Sequence, residues 1–192
     1  MDQTVLHHPT TGETIRVLES TSEVFRMELT IAPRGEVAGA HIHPQQEQTF
    51  EVCSGRLACR VEGREHLLTA GQVLVLPPGR RHTQGNPFSE PVVAIETYRP
   101  AKRIHEFFVA FFSLGRLGLT DAKGAPRPLY AAALLDEYKD TIAVAPLFDR
   151  LLLRALAPIA RALGYQRRIA ALLTGTATAS AQANSVGTLP AE

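Results

Sequence analysis

The sequence is poor in cysteine, and its two thiols are not placed to form a disulfide bond. Cys53 and Cys59 both lie in runs typical of the strands of one tight hairpin. If that hairpin turns at Ser54-Gly55, Cys53 lies opposite Arg56. Cys59 then lies opposite Phe50, and the two sulfur atoms are too far apart to bond. Two free thiols fit a reducing compartment, so we expect a cytoplasmic protein.

Net charge is almost absent as well. The 20 lysine and arginine residues balance 19 aspartate and glutamate residues, which leaves a formal net charge of +1. Such a chain has no overall field that would gather nucleic acid, and we expect no nucleic-acid partner. Hydrophobic residues make up 45% and charged residues 20% of the chain. These values are close to those of soluble globular proteins and indicate neither disorder nor a fibrous repeat.

Signals for secretion, repetition and membrane insertion are also missing. Residues 1–10 lack the charged start and apolar run of a secretion signal, which again favours the cytoplasm. No internal repeat has the period of a solenoid or propeller. The apolar run Val144–Leu163 contains Asp149 and three arginines, so it is not expected to span a membrane.

What the sequence does contain is a series of short runs typical of β-strands, followed by helical segments. Gly and Pro turn signals separate the strand runs, which indicates a sandwich or barrel over residues 1–100. Beyond Pro100 apolar residues recur at helical spacing, which predicts a helical extension over residues 101–173. Residues 174–192 are small and polar and are expected to be disordered. The predicted strands are Glu13–Glu19, Val24–Ala32, Gln48–Cys53, Arg56–Val61, Val73–Leu76 and Val92–Tyr98, and the predicted helices are Ile104–Leu114, Leu129–Tyr138 and Val144–Leu163, the last with a possible kink at Pro158.

Three histidines are spaced as ligands of one metal ion. His41 and His43 are two residues apart, so in a strand both imidazoles lie on the same face. His82 follows a Pro- and Gly-rich turn that could return the chain beside this pair. A His-x-His pair alone favours surface or capped histidines, but three imidazoles that converge on a barrel face can hold a divalent first-row metal.

Two spaced blocks surround these histidines. The first reads Gly, five residues, His-x-His, three or four residues, an acid, six residues, Gly. The second reads Gly, five residues, Pro-x-Gly, two residues, His, three residues, Asn. The matching residues are Gly35, His41, His43 and Gly55 in the first block, and Gly71, Pro77, Gly79, His82 and Asn86 in the second.

Both blocks resemble the two motifs of the cupin family, in the family's order and separation. The resemblance covers about residues 20–100 and implies a mainly β fold, the double-stranded β-helix or jelly-roll barrel, with C-terminal α-helices added here. It also implies a divalent metal ion, which for this ligand set would be Fe, Mn, Ni or Zn. Small cupins often pair through sheet edges, so a homodimer is expected.

The chain departs from the cupin pattern at the acidic ligand. Counting back from Gly55 places Gln48 at that position, whereas counting on from His43 finds Glu47. Phe50 and Val52 are apolar, so the even-numbered face of this strand, which includes Gln48, is the buried one. We therefore predict a metal site of His41, His43, His82 and the Gln48 amide oxygen, with Glu47 reaching in only if a bulge re-aims it.

The expected function is that of a metal-dependent enzyme acting on a small organic molecule inside the barrel. Oxygenation of the dioxygenase type is the leading reaction, with isomerisation or cyclisation behind it, and no general acid or base is identifiable. Phe50, Cys59 and Gln84 are the candidate substrate contacts. The alternatives are a non-catalytic binding or sensor module and a degenerate cupin whose histidines only form hydrogen bonds. A further alternative is a sugar-processing cupin that works without metal through His and Tyr, which would need an acid/base pair that the sequence does not place.

The helical extension is expected to be a structural and oligomeric element. Its phenylalanines Phe107, Phe108 and Phe111 should be buried against the barrel, other helices or a second subunit. Arg150, Arg154 and Arg161 form a basic stripe on the last helix. A solvated face is favoured for this stripe over peripheral membrane contact.

Overall fold

The computed structural model describes residues 4–35 and 39–174. Within these residues ten strands come first, and helices and a short strand follow them. The first ten strands are β1 (Val5–His8), β2 (Glu13–Ser20), β3 (Phe25–Ile31), β4 (His41–Ile42), β5 (Glu47–Ser54), β6 (Arg56–Val61), β7 (Arg64–Thr69), β8 (Val73–Leu76), β9 (His82–Gly85) and β10 (Val92–Arg99). The later elements are α1 (Ile104–Arg116), α2 (Pro128–Glu137), β11 (Ala143–Val144) and α3 (Leu147–Ala162), and residues 165–174 are also helical.

The strands form two antiparallel sheets with a shared core. The order in the first is β1-β2-β3-β10-β5-β8, and the order in the second is β11-β4-β9-β6-β7. Buried and less buried residues alternate along β3, β5 and β10. Alternate side chains of a strand point to opposite faces, so one face of each strand is directed into the core. The predicted mainly β jelly-roll fold is confirmed.

Large apolar side chains fill the space between the sheets. Phe25, Met27, Leu29 and Ile31 all lie on one face of β3 and are at most 1% exposed. Burial of each such side chain contributes about 1.5–3 kcal/mol. The even-numbered face of β5 is buried as predicted.

The predicted hairpin at Ser54-Gly55 is wrong. β5 pairs with β10 and β8, whereas β6 pairs with β7 and β9, so the chain passes from one sheet to the other at this turn. Cys53 therefore does not pair with Arg56, and Cys59 lies opposite Gln84 and His66 instead of Phe50. The crossing requires glycine at position 55. The φ of Gly55 is +76°, and a Cβ atom added there would collide with the carbonyl oxygen of Pro91. Both thiols are free, as predicted.

The C-terminal segment begins as predicted but differs in detail. The last long helix starts at Leu147 because residues 143–144 form β11, which extends the second sheet beside β4. Pro158 lies inside α3 without ending it. Phe107 and Phe111 are at most 9% exposed, as predicted, and Phe108 is half-buried.

The described part of the helical extension ends at Thr174. Thr174, the first residue of the predicted disordered tail, is helical, and the other residues of that tail lie outside the described part of the chain. The division of the chain at Pro100 stays a prediction. Among the helices that the structure describes, none is both long and apolar enough to cross a membrane.

Candidate metal centre

Strand pairing in the second sheet brings the three histidines together. His41 on β4 is the register partner of His82 on β9, and their ring centroids are 4.3 Å apart. His43 follows β4 directly, with its ring 5.2 Å from that of His41 and 5.6 Å from that of His82. The ligand nitrogens of the three residues all lie within 4.8 Å of one another, and all three side chains are buried. This group could hold a metal ion.

Backbone carbonyl groups fix the orientation of each imidazole. The Nδ1 atom of His41 donates to the carbonyl oxygen of Gly39 at 3.2 Å. His43 donates in the same way to Thr141 at 2.9 Å, and His82 donates to Arg80 at 2.9 Å. A carbonyl oxygen only accepts, so each Nδ1 carries the hydrogen and each Nε2 keeps a free lone pair.

The unpaired Nε2 atoms show that the site fits a metal. The Nε2 atoms of His43 and His82 are buried and have no hydrogen-bond partner in the described chain. Buried polar atoms are rarely left without a partner. An imidazole that bonds through one nitrogen and presents the other is the usual arrangement of a metal-binding histidine.

Burial also keeps these imidazoles neutral. It lowers the pKa of His43 to about 3, with a further effect from the nearby His82. Burial holds the pKa of His41 well below its ordinary value, and it also lowers that of His82. A metal binds the neutral form of imidazole, so binding at neutral pH requires no proton to leave the site.

The two candidates for the fourth ligand lie on opposite faces of β5. Gln48 is 1% exposed, whereas Glu47 is exposed. The Nε2 atom of Gln48 donates to Glu96 and, at 3.1 Å, to the hydroxyl of Tyr98. Its amide oxygen is buried without a partner in the described residues. That oxygen is the atom the sequence predicted as a ligand, and ligation by Gln48 stays a prediction.

Sequence reasoning missed a buried acid in this region. Glu96 on β10 is 1% exposed and accepts a hydrogen bond at 2.5 Å from the hydroxyl of Tyr98. Burial raises the pKa of Glu96 to about 7. The alternation of β10 offered a signal, because Glu96 has the same parity as the buried residues Ala94 and Tyr98.

A second buried acid lies nearby on β2. Glu13 accepts a hydrogen bond at 2.8 Å from the hydroxyl of Thr11 and is 4% exposed. Burial, with a smaller contribution from the charge of Glu96, raises the pKa of Glu13 to about 7. The two acids therefore interact within one cavity, which both of them line.

This cavity of about 580 Å³ extends from the histidines to the C-terminal helices. The helices thus line the cavity, in addition to any outer surface that they cover. Gln84 lines the cavity, and its role as a substrate contact stays a prediction. Phe50 and Cys59 belong to the buried core and are not among the described lining residues, so their roles stay predictions. Burial raises the pKa of Cys59 to about 12, which suits a core thiol better than a nucleophile.

Comparisons with known proteins found a family model and several solved structures that are similar to part of this chain. No curated protein matches the chain. Among solved structures, a double-stranded β-helix protein of Klebsiella pneumoniae is 25% identical, covers 45% of this chain and 70% of its own, and has a TM-score of 0.42. KdgF from Halomonas sp. is 16% identical over 55% of this chain and 91% of its own, with a TM-score of 0.48. A cupin-superfamily sugar phosphate isomerase of Silicibacter pomeroyi is 19% identical, with a TM-score of 0.44, over 47% of this chain and 60% of its own.

The family comparison covers the barrel strands that carry the site. The model of the cupin domain matches residues 27–98, less than half of the chain. The matched segment includes His41, His43, His82 and Glu96 and ends before α1. The match, both motifs and the jelly-roll topology together identify residues 27–98 as a cupin domain.

Proposed function

We propose that this protein is a metal-dependent enzyme acting on a small organic molecule in the cavity between the barrel and the helices. The observation that carries the proposal is the orientation of three buried imidazoles, each fixed through Nδ1 with Nε2 left to bind. His41, His43 and His82 would hold a divalent Fe, Mn, Ni or Zn ion. Such an ion supplies Lewis-acid chemistry that polarises an oxygen of the bound molecule.

Proton transfer is the reaction class that the neighbouring residues support best. Glu96 presents a buried carboxyl group to the cavity, and the bonds from Gln48 and Tyr98 both fall on its Oε1 atom. These bonds fix the orientation of the carboxyl group, as a general acid or base requires. Tyr98 remains a protonated donor because burial holds its pKa well above the ordinary value. Glu96 would accept or return a proton on the molecule bound at the histidines, as in an isomerisation.

Oxygenation, the reaction favoured by the sequence, is the second candidate. Its support is the combination of three neutral imidazoles with a cavity lined largely by apolar side chains. Such surroundings shield a reactive species from water. Glu96 has no necessary part in this reaction, and that difference separates the two candidates.

Metal content gives the first test. Protein purified without chelator should contain about one divalent ion per chain, and His41→Ala should contain none. Wild-type protein with no metal, and with no affinity for added Fe, Mn, Ni or Zn, would contradict the proposal and favour a non-catalytic binding module.

A reaction assay in heavy water gives the second test. A panel of small carbonyl compounds is incubated with metal-loaded protein, and deuterium incorporation is followed by NMR beside oxygen uptake. We expect incorporation that Glu96→Gln abolishes while metal content is kept. Oxygen uptake that Glu96→Gln leaves unchanged, without deuterium incorporation, would favour oxygenation instead.

A further inference from the structure

A continuous series of aromatic side chains joins the metal centre to the first helix. The ring of Tyr98 lies 5.0 Å from that of His43 and 6.0 Å from that of Phe108. Phe108 in turn lies 6.1 Å from Phe112, and all four residues line the cavity. Aromatic faces offer large apolar contact areas with a defined geometry. A molecule bound at the histidines would therefore extend along an aromatic wall.

The lining supplied by α2 and α3 is aliphatic. Leu134 and Leu135 belong to α2, and Leu152, Leu153 and Leu156 belong to α3. The polar groups of the lining that come from the barrel are His41, His43, Gln84, Tyr98 and the two buried acids. The cavity therefore has a polar part at the barrel and an apolar part at the helices.

The distribution of charge in the cavity disfavours an anionic group in the part away from the histidines. Apart from the histidines, Lys123 is the one basic residue among the described lining residues, and it is exposed. The buried acidic residues of the described lining are Glu13 and Glu96. Away from the histidines, a buried phosphate or carboxylate would thus lack a fixed cationic partner, and an unpaired buried charge is costly.

We propose that the substrate is a neutral, largely apolar molecule with one oxygen-bearing end, the apolar body lying between α1, α2 and α3. This inference rests on the proposed function, because it takes the cavity as the substrate site. The volume of about 580 Å³ suits a molecule of ordinary drug size. The oxygen-bearing end lies at His41, His43 and Glu96, which line the cavity and can bond to it.

Binding of the neutral fluorescent probe N-phenyl-naphthylamine tests the proposal. Ala131 on α2 lines the cavity and is 9% exposed, so Ala131→Phe fills part of the space. Leu156→Glu, at a half-buried lining position, places a charge on the aliphatic wall without adding a ring. Phe148→Ser is the matched control, because Phe148 on α3 is 76% exposed and is outside the described lining.

Full-length wild-type protein should bind the probe saturably. Ala131→Phe and Leu156→Glu should each weaken binding about tenfold or more, while Phe148→Ser changes it by less than about twofold. Thermal unfolding and metal content show which variants are folded. If one of the two cavity variants does not fold, the other still tests the proposal. Inorganic phosphate and glucuronate should not displace the probe.

Two results would overturn the inference. One is loss of probe binding in Phe148→Ser but not in the folded cavity variants, which would place the probe on the outer face of α3. The other is saturable binding of glucuronate that Ala131→Phe abolishes. Metal analysis of the wild-type protein beside the same titration separates this inference from the proposed function. Wild-type protein that holds no metal but binds the probe in the cavity contradicts only the proposed function. Metal-loaded wild-type protein that does not bind the probe contradicts only the substrate class.

Discussion

The Nδ1 atom of His43 lies 2.9 Å from the carbonyl oxygen of Thr141, a residue 98 positions further along the chain. Thr141 is fully buried and follows α2. Two residues later β11 begins and pairs with β4, where Val144 is the register partner of His41. The segment after α2 therefore contacts two of the three histidines. The extension takes part in orienting the candidate ligands, which goes beyond the structural role predicted from its apolar faces.

Loss of one histidine should abolish metal binding without unfolding the barrel. We expect no bound metal in His82→Ala, because a site of three imidazoles rarely survives the loss of one. Elemental analysis of protein purified without chelator measures this. His66→Ala is the control, because His66 is exposed on β7. Metal content in His82→Ala equal to that of the wild type would contradict the site.

Gln48→Glu should tighten metal binding. An ionised oxygen would replace a neutral one at a buried position beside the site, and hard oxygen ligands bind divalent ions more strongly when charged. Titration with Mn²⁺ or Zn²⁺ at neutral pH measures the change. Glu47→Gln should have no effect, because Glu47 is exposed on the other face of β5. Unchanged affinity in Gln48→Glu would mean that residue 48 does not contact the metal.

Glu13 should make the metal-free protein less stable as the pH rises. Its pKa is about 7 in the folded state against an ordinary 4.5, so between these values the folded protein holds a proton that the unfolded chain releases. The stabilisation from this carboxyl is full below pH 4.5 and is lost as the pH rises through about 7. The loss amounts to up to about 3 kcal/mol.

Glu13→Gln should reduce the loss of stability that accompanies rising pH. Glutamine can keep the bond from Thr11 without ionising, while Glu96 still titrates over the same range. Urea unfolding of chelator-treated protein between pH 5 and pH 8 measures the slope. Glu51→Gln, at an exposed position of β5, is the control. A slope in Glu13→Gln equal to that of the wild type would show that Glu13 is already ionised in the folded state.

Asn86, the last residue of the second motif, should stabilise the fold without affecting the metal. It is fully buried, and its Nδ2 atom lies within 3.1 Å of the carbonyl oxygens of Ile31 and Ala32 and 2.7 Å from that of Glu90. Asn86→Ala would leave buried backbone groups unpaired and should lower the free energy of unfolding by about 2–3 kcal/mol. Urea unfolding checks this, with the exposed Gln45→Ala as control. A change below about 0.5 kcal/mol would contradict it.

Local pattern was sufficient where a property depends on neighbouring residues. The alternation of apolar and polar residues in β5 predicted that Gln48 is buried and Glu47 exposed, because strand pleating is a local property. It was insufficient for the turn at Gly55. A hairpin and a crossing between two sheets can have the same short sequence, since the choice depends on which distant strands, here β10 and β9, complete the pairing.

The sequence by itself determined the jelly-roll fold and the three histidines, because both follow from spacings within two motifs and from the alternation of short strands. Only the tertiary structure decided what surrounds those histidines. Glu96, Tyr98 and Glu13 come from β10 and β2, and the apolar part of the cavity comes from helices beyond residue 100. Contacts between such distant segments depend on packing of the whole chain, and a cavity, a buried carboxyl and its raised pKa arise only once that packing has excluded water.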